Sequence, residues 1–144
     1  MPADEYFNLY KKCVDIESIQ FTLEDFKRFK QSTNIKIVQK KNSIAILGLT
    51  DSELEIYFIG VAGRFRRRGL GKKLLKSIIS FSKDYGANVI LLEVGVNNIA
   101  AKNLYLSFNF KECGIRKDYY RNRAGLRQDA IIMKLNLETQ PSLL

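Results

Sequence analysis

Between Arg64 and Lys73 the chain gathers Arg64, Arg66, Arg67, Arg68, Lys72 and Lys73 around two glycines, Gly69 and Gly71. Glycine has no β-carbon, so an anion can approach the backbone closely at both positions. A helix starting near Gly69 would leave its first amide N–H groups without intrahelical acceptors, at an end that carries partial positive charge. A diphosphate suits such a turn: its oxygens accept from the bare amides, and the cations supply charge around it. Arg66-Arg67-Arg68-Gly69-Leu70-Gly71, with Lys72, is therefore the candidate pyrophosphate cradle. The plainer reading of the same residues is a basic loop whose glycines only cap a helix.

Two better-known nucleotide motifs do not fit. A phosphate-binding P-loop follows its Gly-Lys with Ser or Thr, and here Gly71-Lys72 is followed by Lys73. The dinucleotide fingerprint G-x-G-x-x-G finds Gly69 and Gly71 but has Leu74 at its third glycine.

The composition narrows the chemistry further. No histidine occurs in the 144 residues. Ser-His-Asp and Cys-His nucleophile systems have no imidazole base here. Histidine zinc sites are excluded too, and Cys13 and Cys113 cannot make a four-cysteine site, so no metal is expected. Carboxylates, tyrosines, lysines and backbone groups remain. The two thiols, far apart in the chain, are expected to be reduced and buried rather than bridged. The net charge of +9 attracts polyanions or simply keeps the surface solvated. No apolar run reaches the ~20 residues of a membrane span. The acidic start Met1-Pro2-Ala3-Asp4-Glu5 lacks a signal-peptide layout. A cytoplasmic protein without membrane contact is expected, and nothing in the sequence bears on its oligomeric state.

These residues need elements to position them. One domain over residues 1–144 is the simplest account, because repeats and Pro/Gly-rich linkers are lacking and the prolines stand at 2 and 141. Apolar residues over 3–14 favour a helix. Thr22 with Asp25 three residues on resembles a capping box, and Leu23, Phe26 and Phe29 recur at helical spacing over 23–31. Ile35–Lys40, Ser43–Leu49 and Glu55–Val61 read as a three-strand antiparallel meander. A long amphipathic helix follows over 69–85, closed by Gly86. Val89–Val94 is a central strand, 98–108 is helical with Asn109 closing it, and Phe110–Arg116 and Ala130–Leu137 are strands flanking a long basic loop, 117–129. The sum is an α/β or α+β sandwich with a mostly antiparallel sheet.

R-x-x-G-x-G between a strand and a long helix resembles the acetyl-CoA signature of the GNAT superfamily of N-acetyltransferases, Q/R-x-x-G-x-G/A. Leu92-Glu93-Val94, Asn98, Leu104-Tyr105, Gly114-Ile115-Arg116, Asp118-Tyr119-Tyr120 and Asp129-Ala130-Ile131-Ile132-Met133 extend the resemblance to its RimI-type branch. Those enzymes acetylate the N-terminal alanine of a small-subunit ribosomal protein. The resemblance implies a GNAT fold, a mixed sheet with helices on both faces, and acetyl-CoA as cosubstrate. The acceptor it implies is the N-terminus of a protein, a ribosomal one foremost, with no direct nucleic-acid role. It also implies that Ile59-Gly60-Val61 pairs its backbone with the pantetheine arm, that Arg66 to Lys72 holds the pyrophosphate, and that Asn98 contacts the cofactor. Glu93 is then the general base, Tyr105 the general acid, and Tyr119 and Tyr120 grip the acceptor. The chain departs from the family in Gly63, where a proline is usual, in Gly95, where arginine is common, and in opening on a helix where a first strand is usual.

Elementary chemistry is compatible with these roles. An amine must be neutral to attack a thioester, and an α-amino group, with a pKa near ~8, gives up its proton far more readily than a lysine at ~10.4. Glu93 inside an apolar strand is expected to be raised by desolvation into a better base. A tyrosine hydroxyl can protonate the departing thiolate, and consecutive elements can turn Glu93 and Tyr105 toward one cleft. By residue type alone, a strand glutamate is more often on an exposed face and a tyrosine on an apolar helix face is more often core. An acetyltransferase acting on a lysine or small amine, and a non-catalytic basic module for RNA or the ribosome, are the competing functions.

Overall fold

The computed structural model describes residues 1–14, 19–66, 68–121 and 127–137, without the side chains at 120, 121 and 127. Its elements run α1 (Ala3–Cys13), α2 (Leu23–Gln31), β1 (Ile35–Lys40), β2 (Ser43–Leu49), β3 (Glu53–Val61), α3 (Leu70–Tyr85), β4 (Val89–Gly95), α4 (Ile99–Ser107), β5 (Lys111–Arg121) and β6 (Arg127–Asn136). A 3-10 turn over Gly63–Phe65 joins β3 to α3. Among the described residues no strand precedes α1, and no helix is long and apolar enough to cross a membrane.

The strands form one sheet in the order β1-β2-β3-β4-β6-β5. The expected meander is present, with β1, β2 and β3 antiparallel in sequence. Only β3 and β4 run parallel, so the sheet is mixed and mostly antiparallel. Strand alternation sends successive side chains to opposite faces, and β2 shows what covers each. Ala45 and Leu47 join Leu74, Leu75 and Ile78 of α3, with Leu92, Val94 and Tyr105, in one core. Ile44 and Ile46 join Tyr10, Cys13 and Phe26 of α1 and α2 in the other. Helices therefore cover both faces, as expected.

Local signals in the sequence explain the helix ends. The Thr22 hydroxyl accepts from the Asp25 amide at 3.2 Å, and the Asp25 carboxylate accepts from the Thr22 amide at 2.8 Å, a complete capping box. Gly86 and Asn109 adopt the left-handed conformation that closes α3 and α4, with φ of 89° and 71°.

The C-terminal hairpin corrects the sequence reading. The strands expected over Phe110–Arg116 and Ala130–Leu137 are longer, and much of the expected 117–129 loop is ladder: Tyr120 pairs with Gln128 and Arg121 with Arg127. The register shifts between Arg116 and Tyr120, where Asp118 takes a φ of 56°. The Asp118 amide donates to the Asp129 carboxylate at 2.9 Å and stitches this irregularity to the partner strand. Polar residues inside a bulged strand break the two-residue alternation, and so read as loop. Both cysteines are free; Cys13 is buried as expected, but Cys113 is exposed.

Candidate active site

The two central strands part. β3 and β4 pair from Glu53↔Val89 to Ile56↔Leu92 and no further, although β3 continues to Val61 and β4 to Gly95. On its other edge β3 stays paired with β2 through Ile59, Gly60 and Val61. Ile59-Gly60-Val61 thus has no ladder partner on the β4 side among the described residues, and its backbone groups there can serve an extended ligand. Gly60 answers a different need. A β-carbon there would meet the Phe58 ring at 2.6 Å and the Cys13 carbonyl at 3.0 Å, so its bareness admits the end of α1.

The first turn of α3 stands at this gap. A β-carbon on Gly71 would lie 3.6 Å from Leu104 of α4 and 4.0 Å from Val61 of β3, so three elements converge there. Gly69 caps α3 with a φ of 79°, and nothing lies within 4 Å of the β-carbon it lacks. Leu70, Gly71 and Lys72 hold the helix's first amides, and no acidic residue stands in that turn. Open space, bare amides and exposed Arg68 and Lys72 fit a diphosphate. Arg66 is engaged elsewhere: its guanidinium donates to the carbonyls of Val61 at 3.1 Å and Cys13 at 3.3 Å, bracing the loop. Arg67 lies outside the described residues. Asn98 caps α4, its side-chain oxygen accepting from Ala101 at 3.2 Å.

On the α1–α2 side of the gap lies a cavity of about 270 Å³, lined by Gln20, Phe21, Glu55, Tyr57, Glu93 and Tyr119. Alternation along β4 explains Glu93: Leu92 and Val94 are buried in the α3 core, so the glutamate points the opposite way. Its carboxylate accepts from Arg116 of β5 at 3.1 Å. That guanidinium also sits 4.1 Å from the centre of the Tyr119 ring. Glu55 lies on the neighbouring strand. Partial burial first, and the charge of Glu93 second, raise its carboxyl above the usual value, while Arg116 opposes the shift. Tyr57 is raised too, by burial and then by Glu55. Its ring crosses β2 at Gly48, where any β-carbon would come within 2.3 Å of the hydroxyl. The cavity's other wall is fixed from the core: the buried Tyr10 hydroxyl accepts from the amides of Gln20 at 2.9 Å and Phe21 at 3.4 Å.

Tyr105 sits apart from this cavity. It is 6% exposed, belongs to the core under α3, and packs on Phe110 at 5.7 Å between ring centres. Glu93 and Tyr105 therefore serve opposite faces of the sheet and do not line one cleft directly. Of the tyrosine pair, Tyr119 reaches the cavity; Tyr120 contributes described backbone, opposite Gln128, and its side chain lies outside the described residues. Sequence reasoning passed over Glu55, Tyr57, Tyr10 and the role of Arg116. Glu55 alternates with buried Leu54 and Ile56, which reads as an ordinary solvated strand face. Only strand pairing puts it beside Glu93.

A sheet parted at its centre, with a cation-rimmed helix start at the gap, suits a ligand that is extended at one end and carries a diphosphate at the other. The sequence matches the acetyltransferase (GNAT) family over residues 16–110, and the chain belongs to that family. It is 38% identical over 104 residues to the ribosomal protein bS18-alanine N-acetyltransferase of Escherichia coli K12, covering 71% of this chain and 70% of that one. It is 39% identical over 79 residues to the N-alpha-acetyltransferase RimI of Mycobacterium tuberculosis, covering 54% of this chain and 48% of the relative. The crystal structure of the Escherichia coli ribosomal-protein-S18-alanine N-acetyltransferase superposes with a TM-score of 0.83 at 27% identity, over 99% of this chain and 92% of that one. A GNAT acetyltransferase from Elizabethkingia anophelis with acetyl-CoA bound shares the fold, with a TM-score of 0.66 at 21% identity over 81% and 84% of the two chains.

Proposed function

We propose that this chain transfers the acetyl group of acetyl-CoA to the α-amino group of a protein N-terminus, with the N-terminal alanine of ribosomal protein bS18 as the first acceptor to test. The observation that carries this reading is the parting of β3 and β4 between the α3 start and the Glu93 cavity. Ile59-Gly60-Val61 offers its open edge to the pantetheine arm. Gly69, Leu70, Gly71 and Lys72 receive the pyrophosphate, with Arg68 and Lys72 supplying charge. Arg66 keeps the loop in shape, and Asn98 fixes the start of α4 beside the cofactor.

The acceptor enters from the cavity side, past Phe21, Tyr57 and Tyr119. Glu93 takes the proton of the ammonium, which frees the nitrogen lone pair. The nitrogen then bonds to the thioester carbonyl carbon, and the C–S bond breaks with its electron pair leaving on sulfur. Tyr105, on the other side of the parted strands, donates its hydroxyl proton to that thiolate; the second proton of the attacking nitrogen leaves to solvent as the amide forms, and Tyr105 regains a proton from solvent. A thioester lying in the gap has one face toward each residue, so base and acid need not share a cleft.

The decisive experiment incubates the protein with acetyl-CoA and peptides of varied N-termini, read by mass spectrometry. Acetyl on the α-amine of an alanine-leading peptide is the expected product. Acetyl on lysine side chains or small amines alone would replace this reading.

A further inference from the structure

Resting on the acetyl-transfer reading above, we propose that Glu55 is the residue that receives the acceptor's α-ammonium group, so that acceptor binding and proton removal fall to two carboxylates on adjacent strands. Both carboxylates line one cavity. Their states differ. Glu93 is already paired with Arg116, whose guanidinium donates to it at 3.1 Å and is itself stacked near Tyr119. Glu55 makes no hydrogen bond or ion pair among the described residues. An ammonium entering from solvent thus meets one carboxylate whose charge is spoken for and one whose charge is open.

Charge balance points the same way. Glu55, Glu93 and Arg116 sum to one net negative charge at the cavity, on a chain whose net charge is +9. A single cationic amine neutralises that remainder. Tyr57, on the strand of Glu55, and Tyr119 wall the same space with aromatic surface, which suits the short apolar side chain of a first residue. The placement also orders the events. The ammonium docks on Glu55 in its charged form, and reaches Glu93 as Arg116 yields. It loses its proton only there, next to the parted strands. Glu55 touches the substrate but takes no part in bond making.

The test pairs a change in the protein with a change in the ligand. Glu55→Gln keeps size and removes charge. The ligands are a short alanine-leading peptide and the same peptide with a propionyl group in place of its alanine, which lacks the amine. Expected for the variant is a KM for the alanine peptide raised about tenfold, the size of one lost contact to a charged group, with kcat changed less than ~3-fold. Binding of the propionyl peptide should be equal in wild type and variant. Unchanged acetyl-CoA affinity by calorimetry shows that the variant is folded. An unaltered KM, an equal loss for both peptides, or a fall in kcat at constant KM each overturns the proposal. A wild-type protein that acetylates no α-amine instead removes the underlying reading, a result separable from all of these.

Discussion

At the residue scale, two glutamates on neighbouring strands stand in different surroundings, Glu93 paired with Arg116 and Glu55 without a hydrogen bond or ion pair among the described residues, and the roles proposed for them follow that difference. Glu93→Gln keeps the hydrogen bond from Arg116 but cannot accept a proton. Its kcat should fall by about 10²–10⁴, the usual span for a general base, while the dissociation constant for acetyl-CoA stays within twofold of wild type. A variant that turns over normally would shift the base role elsewhere. Tyr105→Phe should also depress kcat rather than acceptor KM, with the ring and its packing on Phe110 retained. Glu55 predicts the opposite balance of function and stability. Its carboxyl is raised by partial burial and by Glu93, so its ionised form is disfavoured in the fold relative to the unfolded chain. The sign follows from linkage: a carboxyl raised on folding makes the native state lose stability as pH climbs through its titration. Glu55→Gln removes the disfavoured charge, so it should leave the melting temperature equal or higher even as acceptor binding weakens. A lower melting temperature at pH 7, in a variant with intact cofactor affinity, would contradict this assignment of charge.

At the element scale, the cradle depends on where α3 begins. Gly71→Glu places a carboxylate beside the first amides of α3, against Leu104 and Val61, where the diphosphate is proposed to sit. Calorimetry with coenzyme A should then register no binding, while circular dichroism remains that of wild type. Binding at wild-type affinity would move the cofactor away from this turn. The start of α3 was legible because glycine spacing and a change of apolar period mark it directly in the sequence. The ends of α2, α3 and α4 were legible for the same kind of reason, since Thr22 with Asp25, Gly86 and Asn109 act on their own neighbourhoods. The site was legible only where it is local. Nothing near Glu93 in sequence announces that β3 and β4 stop pairing at Ile56 and Leu92, because parting belongs to the pair of strands and not to either one. Glu55 was hidden for that reason, and Tyr10 because a tyrosine among aromatics reads as packing, while its hydroxyl holds Gln20 and Phe21 in the cavity wall. The β5–β6 hairpin was misread because a bulge at Asp118 breaks the alternation that identifies a strand.

At the scale of the whole molecule, the two faces of the sheet differ in how they meet alkali. The α1–α2 core contains two buried groups that must stay protonated, Cys13 and Tyr10. Burial pushes the Cys13 thiol up to about 11, with Arg66 and Lys12 opposing, and its proton points at the Asn42 carbonyl 3.9 Å away. Burial also raises Tyr10, against the amides of Gln20 and Phe21 that favour its charged form. In the unfolded chain a cysteine titrates near ~8.5 and a tyrosine near ~10. Both groups therefore hold protons in the native state at pH values where the unfolded state has released them. By linkage, stability from Cys13 is fully present below about pH 8.5 and is lost as pH rises toward about 11, while that from Tyr10 is lost above ~10. Chemical denaturation of wild type and Cys13→Ala from pH 7 upward separates the first contribution. The variant starts less stable, because a buried side chain has been trimmed, and the gap should narrow steadily across the window from about 8.5 to about 11. A constant gap would mean that the thiol is not held neutral by the fold. Thiol labelling at pH 8 gives the same contrast kinetically: exposed Cys113 should react within the mixing time of a slow reagent series, and Cys13 only at the rate of unfolding. Because Cys13 also lends its carbonyl to Arg66, opening this core releases the brace on the proposed cofactor loop, so coenzyme A should slow the labelling of Cys13 and leave Cys113 unaffected.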